Sequence, residues 1–355
     1  MKNRVLHIDV AKILLPLLFW MQLLLLCPER IEACRIPGVP EHEGKPSDVP
    51  PQWKGLIGEY VLEKDTILVF EQDGLLLCVR GSGQPAQLKA EGNDRYGITP
   101  AGPNGKKVCM FHRNPTGAAI SLEISPSAFT RISYGGESGS SFRIRPLRPV
   151  AELRKEALRA SPPAEQGNFR RVDLVELKIL DSAIHLDIRY ASTNNFVGER
   201  FYSQARAFLQ RPAAEALVRA HRSLQAMGYG LLIHDAYRPW YITKMFWDAT
   251  PQEQREFVAD PAKGSRHNRG CAVDLSLFDL KTGKPVEMVS GYDEFSRRAY
   301  PSYPGGTSLQ RWHRRLLRDA MEAQGFRVFE VEWWHFDYKE WRSYPIGVLT
   351  FEEIR

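Results

Sequence analysis

The chain has 355 residues, more than one ordinary hydrophobic core needs, with 43% hydrophobic residues and a formal net charge of +6. Its 48 Lys and Arg are dispersed, not gathered into a stripe with interleaved aromatics, which argues against a nucleic-acid partner. No Gly-rich phosphate loop supports nucleotide chemistry, and part of the positive charge belongs to the first residues of the chain.

Those first residues read as an export signal. Lys2, Arg4 and Lys12 precede an apolar run from Ile13 to Cys27, and Ile31-Glu32-Ala33 offers the small-residue spacing of a cleavage site. Residues 1–33 are therefore expected to be a signal peptide, which places the mature protein in the periplasm or cell envelope. The run is shorter than the roughly 20 apolar residues of a spanning helix, and an uncleaved anchor is a second reading. Cys34 directly after Ala33 offers a third, a lipoprotein, although Glu32 is an unusual neighbour for that signal. Residues 34–52, rich in Pro and charge, form a spacer.

From 53 to 149 short β-rich runs alternate with turns: Glu59–Glu63, Thr66–Glu71, Leu75–Arg80, Lys107–His112, Ala118–Ile124 and Phe142–Arg145. Asp73-Gly74 and Asn104-Gly105 are hairpin signals. The expectation is a small antiparallel β domain, a curved sheet or barrel. Cys78 and Cys109 fall in two of its strands, as a disulfide or as two separate core thiols. The region holds no paired carboxylates, metal cluster or nucleophile arrangement, so a structural or wall-contacting role is its default.

A charged helical segment, Val150–Arg159, and the stretch Ser161–Gly167 make up a linker over 150–167. Residues 168–355 then mix helices and strands without regular βαβ alternation, which predicts an α+β domain with an antiparallel sheet. Ala213, Leu217, Ala220, Leu224 and Met227 mark one helix face before Gly228; Leu309, Trp312, Leu316 and Ala320 mark another before Gly325.

Two stretches of this domain carry chemistry. Ser265-Arg266-His267-Asn268-Arg269-Gly270-Cys271-Ala272-Val273-Asp274 and Glu332-Trp333-Trp334-His335 supply two imidazoles and two carboxylates. A catalytic zinc takes three such protein ligands and leaves a fourth position for water. His267, Asp274 and His335 can be the three, leaving Glu332 as general base. Either stretch alone is more often a packed histidine or a turn; the pair points to a metallopeptidase. Alternation after Gly270 turns Cys271, Val273, Leu275 and Leu277 to a core and Asp274 to the opposite face. Glu332 and His335, three apart, share a face only if the strand is interrupted, so a bulge or turn is expected within 332–335.

From about 169 onward the chain resembles the D-alanyl-D-alanine dipeptidases, zinc enzymes of the D-Ala-D-Ala carboxypeptidase (hedgehog-like) superfamily. The resemblance runs through Tyr190–Gly198, Tyr229–Pro239, His267–Asp274, Tyr292-Asp293 and Glu332–His335, in the family's order. It implies zinc on His267, Asp274 and His335, Glu332 as the proton-transferring carboxylate and Arg238 as the oxyanion stabiliser. It further implies Asp293, helped by Tyr190, as the receptor of the substrate's free ammonium group, and Ser265 as a pocket-lining residue. The segment Ser296-Arg297-Arg298-Ala299-Tyr300 departs from the family's usual Glu-Arg-Ser-His ending, which predicts a different pocket wall. Residues 53–149 weakly resemble accessory β modules of secreted serine hydrolases, and peptidoglycan binding by them follows from fold analogy alone.

The function expected is hydrolysis of D-Ala-D-Ala with a free amino end. Its rivals are a peptidoglycan carboxypeptidase or endopeptidase of the same superfamily and a non-catalytic envelope-binding protein. A carboxylate for a free ammonium favours the dipeptide, and an intact ligand set favours catalysis.

Overall fold

The computed structural model describes residues 44–102, 105–134 and 141–354. The expected signal peptide, its anchoring alternatives and Asn104 lie outside them. Among the described residues, no helix is long and apolar enough to cross a membrane.

Alternating apolar residues build the first region. After one helical turn, α1 (Pro51–Lys54), come β1 (Gly58–Leu62), β2 (Asp65–Gln72), β3 (Leu75–Arg80), β4 (Ala86–Gly92), β5 (Arg95–Gly102), β6 (Gly105–Arg113), β7 (Ala119–Ile124) and β8 (Ser127–Arg131). Each pairs antiparallel with its sequence neighbour, and β1 also pairs with β8, closing a barrel. Closure removes the free edges that would otherwise template aggregation. The β2–β3 hairpin turns on Asp73 (φ 52°) and Gly74 (φ 78°), the two positive φ values a type I′ turn requires. Tyr60, Ile67, Val69, Leu76, Phe111, Leu122 and Phe129 pack inside with Cys78 and Cys109. Both cysteines are free, and burial pushes their thiols up to about 12.

Three strands, β4, β5 and β8, escape the sequence reading: Gly, Pro and charged residues interrupt β4 and β5, and β8 is five residues long with one buried side chain. Phe142–Arg145 is not a strand. It leaves the barrel and lies along the second region, with Ile144 N–H donating to Phe196 O at 2.8 Å.

Beyond α2 (Val150–Ala157), the chain forms β9 (Leu174–Glu176), α3 (Leu177–Leu180), β10 (His185–Leu186), β11 (Phe208–Gln210), α4 (Arg211–Gln225), β12 (Tyr229–Asp235) and α5 (Trp240–Ala249). Then follow β13 (Ala272–Asp279), α6 (Ser308–Glu322), β14 (Phe326–Phe329) and β15 (Glu332–Tyr338). Five strands make a sheet in the order β10-β12-β13-β15-β14. It is antiparallel except that β10 pairs parallel with β12, a correction to the all-antiparallel expectation. Cys271, Val273, Leu275 and Leu277 enter the core as alternation predicts.

The helix faces need two adjustments. On α4, Ala213, Leu217, Ala220 and Leu224 are fully buried, but Met227 lies past the helix end and is 54% exposed. On α6 the buried positions are His313, Leu317 and Met321, one residue round from the expected stripe; Trp312, Leu316 and Ala320 pack at its margin. A polar His313 bonded to the Tyr229 hydroxyl holds the centre of that face.

Candidate metal and substrate site

Sheet register assembles the first part of the site. Asp274 on β13 stands directly opposite His335 on β15 on one side and Asp235 of β12 on the other. Both flanking strands are irregular here. The β12 register slips between Ile233 and Asp235, while Phe329 pairs with Glu332 and its neighbour Val328 with Phe336. That second slip is the interruption expected within 332–335, and it brings Glu332 Oε2 to 3.6 Å from His335 Nδ1.

His267 arrives from a short 3₁₀ turn, His267–Arg269, ended by Gly270 at φ 66°. That φ favours glycine, and a Cβ on Gly270 would meet Leu174 Cδ2 at 2.5 Å and push that side chain aside. Asn268 fastens the turn: its Oδ1 accepts from Ser265 N–H at 2.7 Å, and its Nδ2 donates to Arg238 O and Thr243 Oγ1. Ser265 Oγ sits 3.3 Å from His267 N, beside the cluster.

Three donor atoms face one another. His267 Nε2 lies 3.2 Å from Asp274 Oδ1, His335 Nδ1 lies 3.0 Å from the same oxygen, and the two nitrogens are 3.1 Å apart. Asp274 Oδ1 is buried without a hydrogen-bond donor. An orphaned acceptor between two imidazoles costs free energy unless a cation joins them. The outer ring nitrogens explain which lone pairs point inward. His267 Nδ1 donates to Ala236 O at 2.7 Å, and His335 Nε2 donates to Asp337 Oδ1 at 3.0 Å, itself 3.0 Å from Arg266 on its other oxygen. In the neutral rings these outer bonds leave both inner nitrogens as acceptors, the tautomers a metal site needs. Two imidazoles and a carboxylate, with ligand atoms within 4.8 Å of one another, are a donor set of the kind zinc takes.

A second cluster surrounds this triangle. Arg238 Nη2 lies 2.7 Å from Asp235 Oδ2 and 3.7 Å from Asp274 Oδ2, while Tyr202 donates to Asp235 Oδ1. Tyr292 donates to Asp274 Oδ2 at 3.0 Å. Tyr190 donates to Asp293 Oδ2 at 2.7 Å, and the Tyr190 and Tyr292 hydroxyls are 3.3 Å apart, joining the two clusters. Asp293 sits in the expected Tyr292-Asp293 turn at φ 55°, a left-handed conformation that Asp tolerates.

Electrostatics distinguish the three carboxyls. Burial opposes ionisation of Asp274, yet the two imidazoles hold its carboxyl well below the usual range. Burial pushes Glu332 up to about 7, partly opposed by His335. Asp293 is raised well above the usual range by burial and by Asp274. The structure thus brings together every sequence-selected residue: His267, Asp274, His335, Glu332, Arg238, Asp293, Tyr190 and Ser265. It adds Asp235, Tyr202, Tyr292 as a donor to Asp274, and Asp337. Asp337 had a faint signal, since residues two apart on a strand share a face with the histidine.

A sequence profile of peptidase family M15, described as D-ala-D-ala dipeptidase, matches residues 170–351. The chain belongs to this family. It is 36% identical over 174 residues to the D-alanyl-D-alanine dipeptidase of Escherichia coli (strain K12), covering 49% of this chain and 89% of that one. It is 34% identical over 193 residues to the Enterococcus faecalis (strain ATCC 700802 / V583) D-alanyl-D-alanine dipeptidase, covering 48% and 95%. For the Enterococcus faecium D-alanyl-D-alanine dipeptidase the identity is 32% over 193 residues, covering 48% and 95%. The family match begins after the barrel, whose eight strands all lie before residue 170.

Proposed function

We propose that the chain hydrolyses free D-alanyl-D-alanine, with zinc on His267, Asp274 and His335, Glu332 as general base, and Asp293 with Tyr190 as receptor of the substrate ammonium. The observation that carries this reading is the three-donor triangle with its orphaned Asp274 oxygen, set beside the buried Asp293 carboxyl, which makes no ion pair among the described residues. Zinc in that set supplies Lewis acidity and an acidified water, with a pKa of roughly 7.

The chain's own groups do the rest. Glu332, pushed up to about 7 by burial, is poised to accept a proton from the attacking water and return it to the leaving amine. Arg238, its orientation fixed by Asp235, places a permanent cation where the scissile carbonyl oxygen gains charge. An ammonium against Asp293 restores the ionised carboxylate that burial disfavours, so charge capture selects a free amino end. Ser265 lines the metal side of the pocket.

This reading assigns 168–355 to the hedgehog-like α+β zinc peptidases, 53–149 to a separate β domain and 150–167 to the linker. Support comes from metal donors on adjacent central strands. Alanine release from D-Ala-D-Ala, N-acetyl-D-Ala-D-Ala and a pentapeptide stem tests the function. Cleavage confined to the free dipeptide supports it, whereas cleavage of the blocked or longer substrates reassigns the site to a peptidoglycan carboxypeptidase. The leader-like residues 1–33 support action outside the cytoplasm; mass spectrometry of the mature N-terminus checks export, and a start at Met1 would count against cleavage.

A further inference from the structure

Among the barrel's described residues, Glu71 is the acidic side chain that is buried, 2% exposed, and it bonds to the peptidase domain. Its carboxylate accepts from Ser308 N–H at 2.6 Å and from Ser308 Oγ at 3.1 Å, at the first turn of α6, and from Gly74 N–H of its own hairpin at 2.7 Å. Its backbone N–H donates to Gly306 O, and its carbonyl accepts from Arg311.

A second anchor lies on β1. Glu59 accepts from the Tyr134 hydroxyl at 2.6 Å, and burial together with the nearby Glu59 charge raises the Tyr303 phenol well above its usual range. The Arg298 guanidinium lies 4.8 Å over the Tyr134 ring and pairs with Glu294, 1% exposed and adjacent to Asp293. Both anchors therefore grip one segment, residues 289–308, which carries Asp293. It is also the segment whose sequence departs from the family ending. The chain leaving the barrel braces the opposite wall, where Ser141 N–H donates to Asn194 Oδ1 and Ile144 N–H donates to Phe196 O, and it also meets the 289–308 segment, with the Phe142 ring 5.1 Å from Phe295. Asn194 and Phe196 belong to the loop that begins with Tyr190.

We propose that the barrel is a positioning element of the substrate pocket, with Glu71 and Glu59 fixing the 289–308 segment so that Asp293 meets the dipeptide's ammonium. The inference rests on the ammonium role given to Asp293 above. A displacement of about 1 Å at a binding group costs up to roughly 10²-fold in activity, so a distant clamp can matter this much.

The test compares kcat and KM for D-Ala-D-Ala in the zinc-loaded full chain, for Glu71→Ala, Tyr134→Phe, Asp293→Asn and the exposed barrel control Lys89→Ala. Hydrogen exchange over residues 289–300 is followed in parallel. Expected are a KM raised about 10-fold for Glu71→Ala and about 3-fold for Tyr134→Phe, kcat within about 2-fold, and faster exchange in the segment. Lys89→Ala should behave as the parent. If Asp293→Asn raises KM while folded Glu71→Ala and Tyr134→Phe leave it unchanged, the barrel has no positioning role and the pocket reading survives. Should Asp293→Asn itself leave KM unchanged, the ammonium reading falls and this inference with it. If Glu71→Ala does not fold, Tyr134→Phe decides the matter alone.

Discussion

Inside the barrel, Tyr60, Ile67, Val69, Phe111 and Phe129 surround two thiols that burial keeps protonated. Between β12, β13 and β15 of the peptidase sheet, Asp235, Asp274 and His335 lie side by side across neighbouring strands, with Arg238 and His267 against them. The two regions use the same element to opposite ends. A sheet closed on apolar side chains gains from the burial itself. A sheet that buries charge loses hydration and regains it only through partners, and where a partner is missing, a ligand can supply it. Asp274 is held low by two imidazoles, although its Oδ1 still lacks a hydrogen-bond donor. Asp293 is pushed up by burial and by Asp274, and that difference in direction separates the proposed metal pole of the site from the proposed substrate pole.

The contrast breaks most visibly at Glu332. Glu332→Ala should lower kcat by about 10² to 10⁴, the range for general acid–base groups, while metal content measured on the purified protein stays at the parental level. Near-full turnover with metal bound would remove Glu332 from the role. Next comes Arg238→Lys, which replaces a fork spanning Asp235 and Asp274 with a point charge. A loss of about 10² to 10³ in kcat is expected for a removed oxyanion donor, and steady-state kinetics showing only a KM change would place Arg238 in ground-state binding instead.

How far the sequence reveals this contrast depends on the pole. The metal pole is legible because each donor lies in a short contiguous block, His267 to Asp274 or Glu332 to His335, and one strand's alternation turns Asp274 to the site. The spacing of Glu332 and His335 even discloses the bulge. Asp235 and Tyr202 stay hidden because they act through side chains 33 residues apart that meet only after the sheet forms. Barrel closure is hidden for a similar reason: β8 pairs with β1, and a strand such as Arg95–Gly102, with three breakers in eight residues, carries no clear period of its own. The docking of Glu71 on Ser308, 237 residues away, has no local trace at all.

Asp337 offers a sharper probe of the metal pole. Its carboxylate fixes which His335 nitrogen carries the proton, and Arg266 holds it from behind. Asp337→Asn keeps the shape but weakens that acceptor, so metal affinity in a chelator competition should fall about 10- to 100-fold with the zinc donors themselves untouched. Unchanged affinity would mean that the ligand tautomer is set by the metal alone.

The smallest effect belongs to the barrel. Gly74 stands at φ 78° with open space where a Cβ would go, so Gly74→Ala introduces backbone strain without a clash. A loss of about 1 kcal/mol is expected, since an L side chain disfavours that conformation by roughly this amount. Because Gly74 N–H is one of the donors to Glu71, the strain enters at the clamp and not in the apolar interior. A lower thermal midpoint with unchanged metal affinity and a modestly raised KM would show the hairpin acting on the substrate pole through Glu71. The same drop with metal affinity falling in step would mean that barrel and peptidase sheet open as one cooperative unit, and that the division between an apolar region and a charged one is chemical but not thermodynamic.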